Sequence, residues 1–128
     1  MSVQLSQSQL EDLFNRSDEA TLVLEDEHFV NANQAALDLI GVSSIKIFKS
    51  LHPAMISPEY QPDGESSKNK ADKIFSALKE KGYDRFNWQH ITLKGQPFDV
   101  EVTLRLRKED NRYLIDVHWR VLEQKYSK

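Results

Sequence analysis

Two hydrophobic periods divide this chain, and they change over at Gly82. Beyond that residue, apolar and polar positions alternate. Phe98, Val100, Val102, Leu104 and Leu106 are interleaved with Asp99, Glu101, Thr103, Arg105 and Arg107, the period of a strand with one buried face. Tyr113, Ile115, Val117, Trp119 and Val121 alternate in the same way with Leu114, Asp116, His118 and Arg120. Phe86-Asn87-Trp88-Gln89-His90 reads as a third strand. Turn-forming Lys94-Gly95-Gln96-Pro97 and Lys108-Glu109-Asp110-Asn111 separate the three, so they predict an antiparallel meander. Before Gly82, Ala71, Ile74, Phe75 and Leu78 fall on one helical stripe, with Lys68, Lys70, Lys73, Lys79 and Lys81 elsewhere on the helix. Ser66 or Ser67 supplies its cap and Gly82 its end.

The amino-terminal half mixes the two periods. Ser6-Gln7-Ser8-Gln9 has capping-box spacing, and Leu10, Leu13 and Phe14 follow at helical intervals, predicting a short amphipathic helix over 7–15. Ala20-Thr21-Leu22-Val23-Leu24 and His28-Phe29-Val30 read as two strands joined at an acidic tip, Glu25-Asp26-Glu27. Asn31-Ala32-Asn33 offers caps for a helix over Gln34–Ile40, closed by Gly41. Ile45, Ile47, Phe48 and Leu51 suggest an irregular helical turn before Pro53. Two prolines in Ser57–Gly64 predict an ordered loop, because each fixes its own φ and restricts the residue before it. A lone hairpin is only marginally stable, so residues 20–30 are expected to join the meander in one five-stranded antiparallel sheet. With helices packed on one face, the class is α+β.

Composition narrows the chemistry. At 128 residues the chain suits one domain, able to bury roughly two-thirds of its extended-chain surface. A net charge of −3 and the absence of a basic stripe argue against a nucleic-acid partner, and the lysines of the long helix read as a solvated face. There is no cysteine, which removes disulfides, thiolate metal sites and thiol nucleophiles. No apolar run reaches the ~20 residues of a membrane span, and Met1-Ser2-Val3-Gln4 does not open like a signal peptide, so a cytoplasmic location is expected.

The order of elements resembles the PAS fold, and so do the residues. Phe29 to Gly41 looks like the PAS core opening, a strand running into an asparagine-capped helix that ends in glycine. Ser57–Gly64 with Ser67 and Lys70-Ala71 is similar to a segment of bacterial sensory-box proteins, and Phe86–His90, Gly95 and Phe98–Leu104 continue the likeness. It covers about residues 6 to 122 and divides the chain into a flanking helix (1–17), a PAS domain (18–123) and a tail (124–128). Two departures stand out. Asp26-Glu27-His28 replaces the glycine turn usual in the first hairpin. Trp119-Arg120 is kept, but the Asp-Ile-Thr that normally follows and leads to the output helix is missing.

The resemblance implies a sensory module, not an enzyme, attached to an output domain such as a GGDEF-type diguanylate cyclase, a histidine kinase or a chemoreceptor. Flavin photosensors and cinnamoyl-chromophore members of the family bond to a cysteine, so both covalent cofactors are excluded here. Haem-binding members carry a histidine on the long helix. Residues 66–82 have none, and iron would have to take His52 or His90, which argues against haem. A non-covalent flavin has no specific motif. What remains is a small organic ligand between the long helix and the sheet, with Phe75, Leu78, Trp88, Val102 and Ile115 as candidate lining; each of these is also a natural core residue. Two orientations stay open for Trp88, since Phe86, Trp88 and His90 share one strand face and Ile91 and Leu93 the other. The alternative reading is a ligand-free homodimer joined through Leu10, Leu13 and Phe14. Asp99 with Glu101, and Asp116 with His118 and Arg120, share strand faces but match no catalytic pattern.

Overall fold

The computed structural model describes residues 19–122. The helix expected over 7–15, its Leu10, Leu13 and Phe14, and the tail from 124 lie outside the described residues. Five strands, β1 (Ala20–Glu25), β2 (His28–Ala32), β3 (Tyr83–Ile91), β4 (Pro97–Glu109) and β5 (Arg112–Val121), form one sheet in the order β2-β1-β5-β4-β3. Every neighbouring pair is antiparallel. Between β2 and β3 run α1 (Gln34–Ile40), α2 (Ile45–Lys49), a 3₁₀ turn (Pro53–Ile56) and α3 (Ser67–Lys81). The five-stranded α+β architecture is the one the hydrophobic periods predict.

Register fixes which side chains face the helices. Val102 sits between Phe86 and Trp119, and Leu104 between Asp84 and Val117. Leu22 opposes Val117 and Leu24 opposes Ile115. The inner face therefore collects Leu22, Leu24, Trp88, Val100, Val102, Leu104, Val117 and Trp119, all buried in one cluster with Phe48, Ile56 and Leu78. β2 would present Phe29 and Ala32 to opposite sides if it were regular. In the β1–β2 pairing, however, Leu24 opposes Phe29 while Val23 opposes Asn31, so Val30 is an inserted residue. That bulge turns both Phe29 and Ala32 inward, where both are buried.

Asn33 welds α1 to the sheet. Its Oδ1 accepts from the Ala36 amide at 3.0 Å, capping α1, and from the Thr21 amide at 3.0 Å; its Nδ2 donates to the Glu19 carbonyl at 2.8 Å. The side chain is fully buried with each of these bonds made. At the other end of the helical region, Gly82 (φ +74) lets α3 reverse into β3, and its carbonyl accepts from the Leu106 amide at 2.9 Å.

The acidic hairpin tip is under local strain. Glu25 pairs with His28, so Asp26 (φ +50) and Glu27 (φ +64) are the two central residues of a tight turn. Both lie in the left-handed region that such turns normally fill with Asn-Gly. The Arg112 guanidinium holds the tip from β5, donating to both Glu25 oxygens at 2.8 and 2.6 Å, and it draws the Glu25 carboxyl below its ordinary range. Replacing Glu27 with glycine is expected to raise stability by about 0.5–1 kcal/mol. Urea denaturation midpoints of the two proteins measure this, and an unchanged or lower midpoint would show the turn to be relaxed.

Candidate functional site

The site lies where α3 crosses the inner sheet face. Edge strand β3 supplies Phe86, Trp88 and His90 in a row, with ring centroids 6.0 Å apart for Phe86–Trp88 and 6.4 Å for Trp88–His90. The His90 ring lies 4.4 Å from Trp119 and 5.8 Å from Phe98. Trp88 faces inward, which settles the orientation the strand pattern leaves open. Its indole Nε1 donates to Ser57 Oγ at 3.1 Å.

A buried amide holds the opposite wall in place. Gln61 Oε1 accepts from the Gln89 amide at 2.8 Å, and its Nε2 donates to the Gln89 carbonyl at 3.1 Å and to Ser67 Oγ at 2.8 Å. Ser67, at the start of α3, donates in turn to the Pro58 carbonyl at 2.5 Å. The Ser57–Gly64 loop is thus ordered, as its prolines predict, and it brings Ile56 and Ser57 against β3. The helix lysines are partly engaged: Lys70 pairs with Asp63 at 2.8 Å and Lys73 with Glu65 at 2.5 Å.

Two spaces open beside this wall. An inner cavity of about 80 Å³ is bounded by Leu22, Phe29, Ile74, Trp88, Val102 and Trp119, among others, and its polar rim comes from Ser57 and His90. A half-open groove of about 750 Å³ lies at the β1–β2 and β4–β5 turn end, lined by Leu78, Leu106, Tyr113 and Ile115 together with Asp26, Glu27, His52, Asp72 and Lys79. Leu24, Pro53 and Phe75 border both. The five candidate residues therefore divide between the two spaces: Trp88 and Val102 line the cavity, Leu78 and Ile115 the groove, and Phe75 the partition.

His90 shares the strand face of Trp88 in the sequence pattern, but its bonding partner does not show there. Burial pushes its pKa down to about 4, and the bond from Nδ1 to the Ile56 carbonyl, 2.9 Å long, offsets only part of this. A carbonyl oxygen can only accept, so the ring hydrogen sits on Nδ1 and Nε2 carries a lone pair. Trp119, a further lining residue outside the candidate set, shares strand parity with Ile115 and Val117, a signal present in the β5 alternation.

The outer sheet face is polar and internally paired. Arg107 bonds Asp116 at 2.7 Å, His118 pairs with Glu19, and Arg120 approaches Glu101 at 3.4 Å. Asp116, His118 and Arg120 thus each have a different partner and form no triad. Among the described residues, no group of three or more His, Asp or Glu side chains could hold a metal ion, and no helix is long and apolar enough to cross a membrane.

This architecture is the PAS fold. The chain is similar to the PAS domain of a two-component sensor histidine kinase, with a TM-score of 0.71 at 21% identity over 91% of this chain and 100% of that one. It is also similar to a PAS domain from Colwellia psychrerythraea, with a TM-score of 0.74 at 14% identity over 90% and 95% of the two chains. The LOV protein of Rhodobacter sphaeroides gives a TM-score of 0.67 at 20% identity over 92% of this chain and 69% of that one. No family model and no curated protein matches the sequence.

The buried histidine has a consequence for folding. Its pKa falls from 6.5 in the unfolded chain to about 4 in the fold, so its contribution is whole above pH 6.5 and drains away as pH drops toward 4. A shift of that size corresponds to roughly 3 kcal/mol across the window. A His90→Phe protein is expected to show a flatter stability profile between pH 6.5 and 4 than the parent. Parallel slopes in pH-dependent urea unfolding would mean that His90 titrates normally.

Proposed function

We propose that this domain is a sensory, regulatory module that binds a small organic ligand between α3 and the inner sheet face and relays occupancy to an attached output domain. The observation that carries the reading is the pair of adjoining spaces with Phe75 as their common wall. A cavity of about 80 Å³ is smaller than the ~150 Å³ that admits a benzene ring in an engineered apolar core. The groove falls in the 300–1,000 Å³ range of ordinary ligand sites, and both spaces are partly open to solvent. Rotation of the half-buried Phe75 ring would join the two into one pocket with an apolar floor and a polar mouth. Ligand binding that favours one Phe75 position over the other supplies the differential affinity that a two-state relay needs.

A binding and relay role fits the site better than catalysis, because Asp116, His118 and Glu101 of the outer face are each engaged with a separate partner. The histidine kinase PAS domain among the similar structures makes a kinase one candidate for the output, alongside a diguanylate cyclase or a chemoreceptor.

Ala71 lines the cavity from α3 and is only partly buried, so Ala71→Met is expected to fill the space. Stability should rise by about 0.5–2 kcal/mol through cavity filling. Native mass spectrometry of the freshly purified parent, followed by a thermal-shift screen of small aromatic and aliphatic compounds on both proteins, tests the reading. A bound molecule or shifts of several degrees, lost in Ala71→Met, are expected. No cargo, together with shifts below one degree in the parent, would sink the proposal.

A further inference from the structure

The ligand-binding reading leaves the ligand's chemistry open, and two polar atoms of the inner cavity narrow it. The cavity wall is hydrocarbon and aromatic except at Ser57 and His90. His90 is 8% exposed, and Nδ1 is committed to the Ile56 carbonyl. Its Nε2 has no hydrogen-bond partner among the described residues and is not sealed off like a buried orphan atom, and the ring lines the cavity. Tilted contacts with the Trp119 and Phe98 rings and the Nδ1 bond together hold the ring in this orientation. Ser57 Oγ accepts from Trp88 Nε1, and its own proton has no acceptor among the described residues. An otherwise apolar chamber thus presents one pre-oriented acceptor and one spare donor.

Resting on the proposal of a ligand-binding cavity, we propose that His90 is the specificity-determining residue of that cavity and that it selects a compact, uncharged hydrophobe bearing a hydroxyl group. The hydroxyl hydrogen goes to His90 Nε2, and its oxygen can accept from Ser57. A hydroxyl is the smallest group that satisfies both atoms, which matters in a chamber of about 80 Å³. Carboxylates and phosphates are disfavoured, because a lone pair repels them and no cationic side chain lines the chamber. The neutrality of the ring at physiological pH, a result of its burial, keeps that acceptor available. A site built to hydrogen-bond a ligand group discriminates strongly against the analogue lacking it, since the buried partner is otherwise left unpaired.

Phenol and toluene are near-isosteric and differ in the one group that matters; each is larger than the chamber of about 80 Å³ and enters it once Phe75 turns to join it to the groove, so their binding to the full chain tests the idea by calorimetry. Phenol is the more water-loving of the two, and an apolar chamber without an acceptor would favour toluene. The parent is expected to bind phenol at least as tightly as toluene. In His90→Phe, the phenol Kd should rise about 5–10-fold while that of toluene changes little, as expected for the loss of one hydrogen bond. Because His90→Phe also leaves the Ile56 carbonyl without its donor, ring ¹⁵N spectra of the parent provide a second readout. They should show hydrogen on Nδ1 and a change in the Nε2 resonance on adding phenol but not toluene. Tighter binding of toluene than phenol, or an unmoved Nε2 signal on phenol binding, overturns the role of His90 and leaves the cavity reading intact. Failure of both probes to bind removes the cavity reading as well.

Discussion

A single primary amide, that of Gln61, sets the geometry of the candidate site. Buried amides are costly unless their donors and acceptors are matched, and this one bonds both the N–H and the C=O of Gln89 and reaches Ser67 as well. It stands in for a strand neighbour at one point along β3, one of the two edges of the sheet. Because the loop before α3 is held there, the Ile56 carbonyl and the Ser57 hydroxyl meet His90 and Trp88 at bonding distance. The start of α3 is fixed through the same residues, Ser67 being bonded to Gln61 and Pro58 alike. Cavity wall, edge strand and helix origin therefore share one polar junction inside an apolar layer.

Around that junction the core is close to filled. Phe29 and Phe48 rings lie 4.5 Å apart under β2, and the Trp88–His90–Trp119–Phe98 group closes the far side. Between them the chamber survives because Ala71, a small residue, occupies the helix position above it. A larger side chain there would make this an ordinary packed core, so whether the domain has a chamber turns on a few heavy atoms at one position of α3. The partition at Phe75 is similarly local, one side chain lying between a small space and a larger one.

The parts of this structure that were legible in the sequence are those governed by period and by caps. Asn33 and Gly41 bracket α1 over the expected Gln34–Ile40, and the strand alternation of 98–106 and 113–121 maps onto β4 and β5. β3 begins at Tyr83, three residues before its apolar alternation starts, because Tyr83, Asp84 and Arg85 are held by pairing with β4 rather than by burial. The direction in which Trp88 faces required its register with Val100, information that no local pattern contains. The bonds of His90 and Gln61 were illegible for a related reason. Their partners, Ile56 and Gln89, lie 34 and 28 residues away, and single polar side chains leave no periodic trace. The apolar lining was readable as a set, but its division into cavity and groove depends on where α3 lies across the sheet.

The amide at Gln89 has a further effect, on solubility and assembly. Exposed sheet edges are templates on which other chains can polymerise, and proteins commonly blunt them with loops or charges. A foreign segment zipping along β3 would meet the Gln61 loop already occupying both backbone groups of Gln89, and the growing ladder would stall. Lateral, fibril-like growth is thereby checked near the carboxyl-terminal end of that strand, at the third residue from its close.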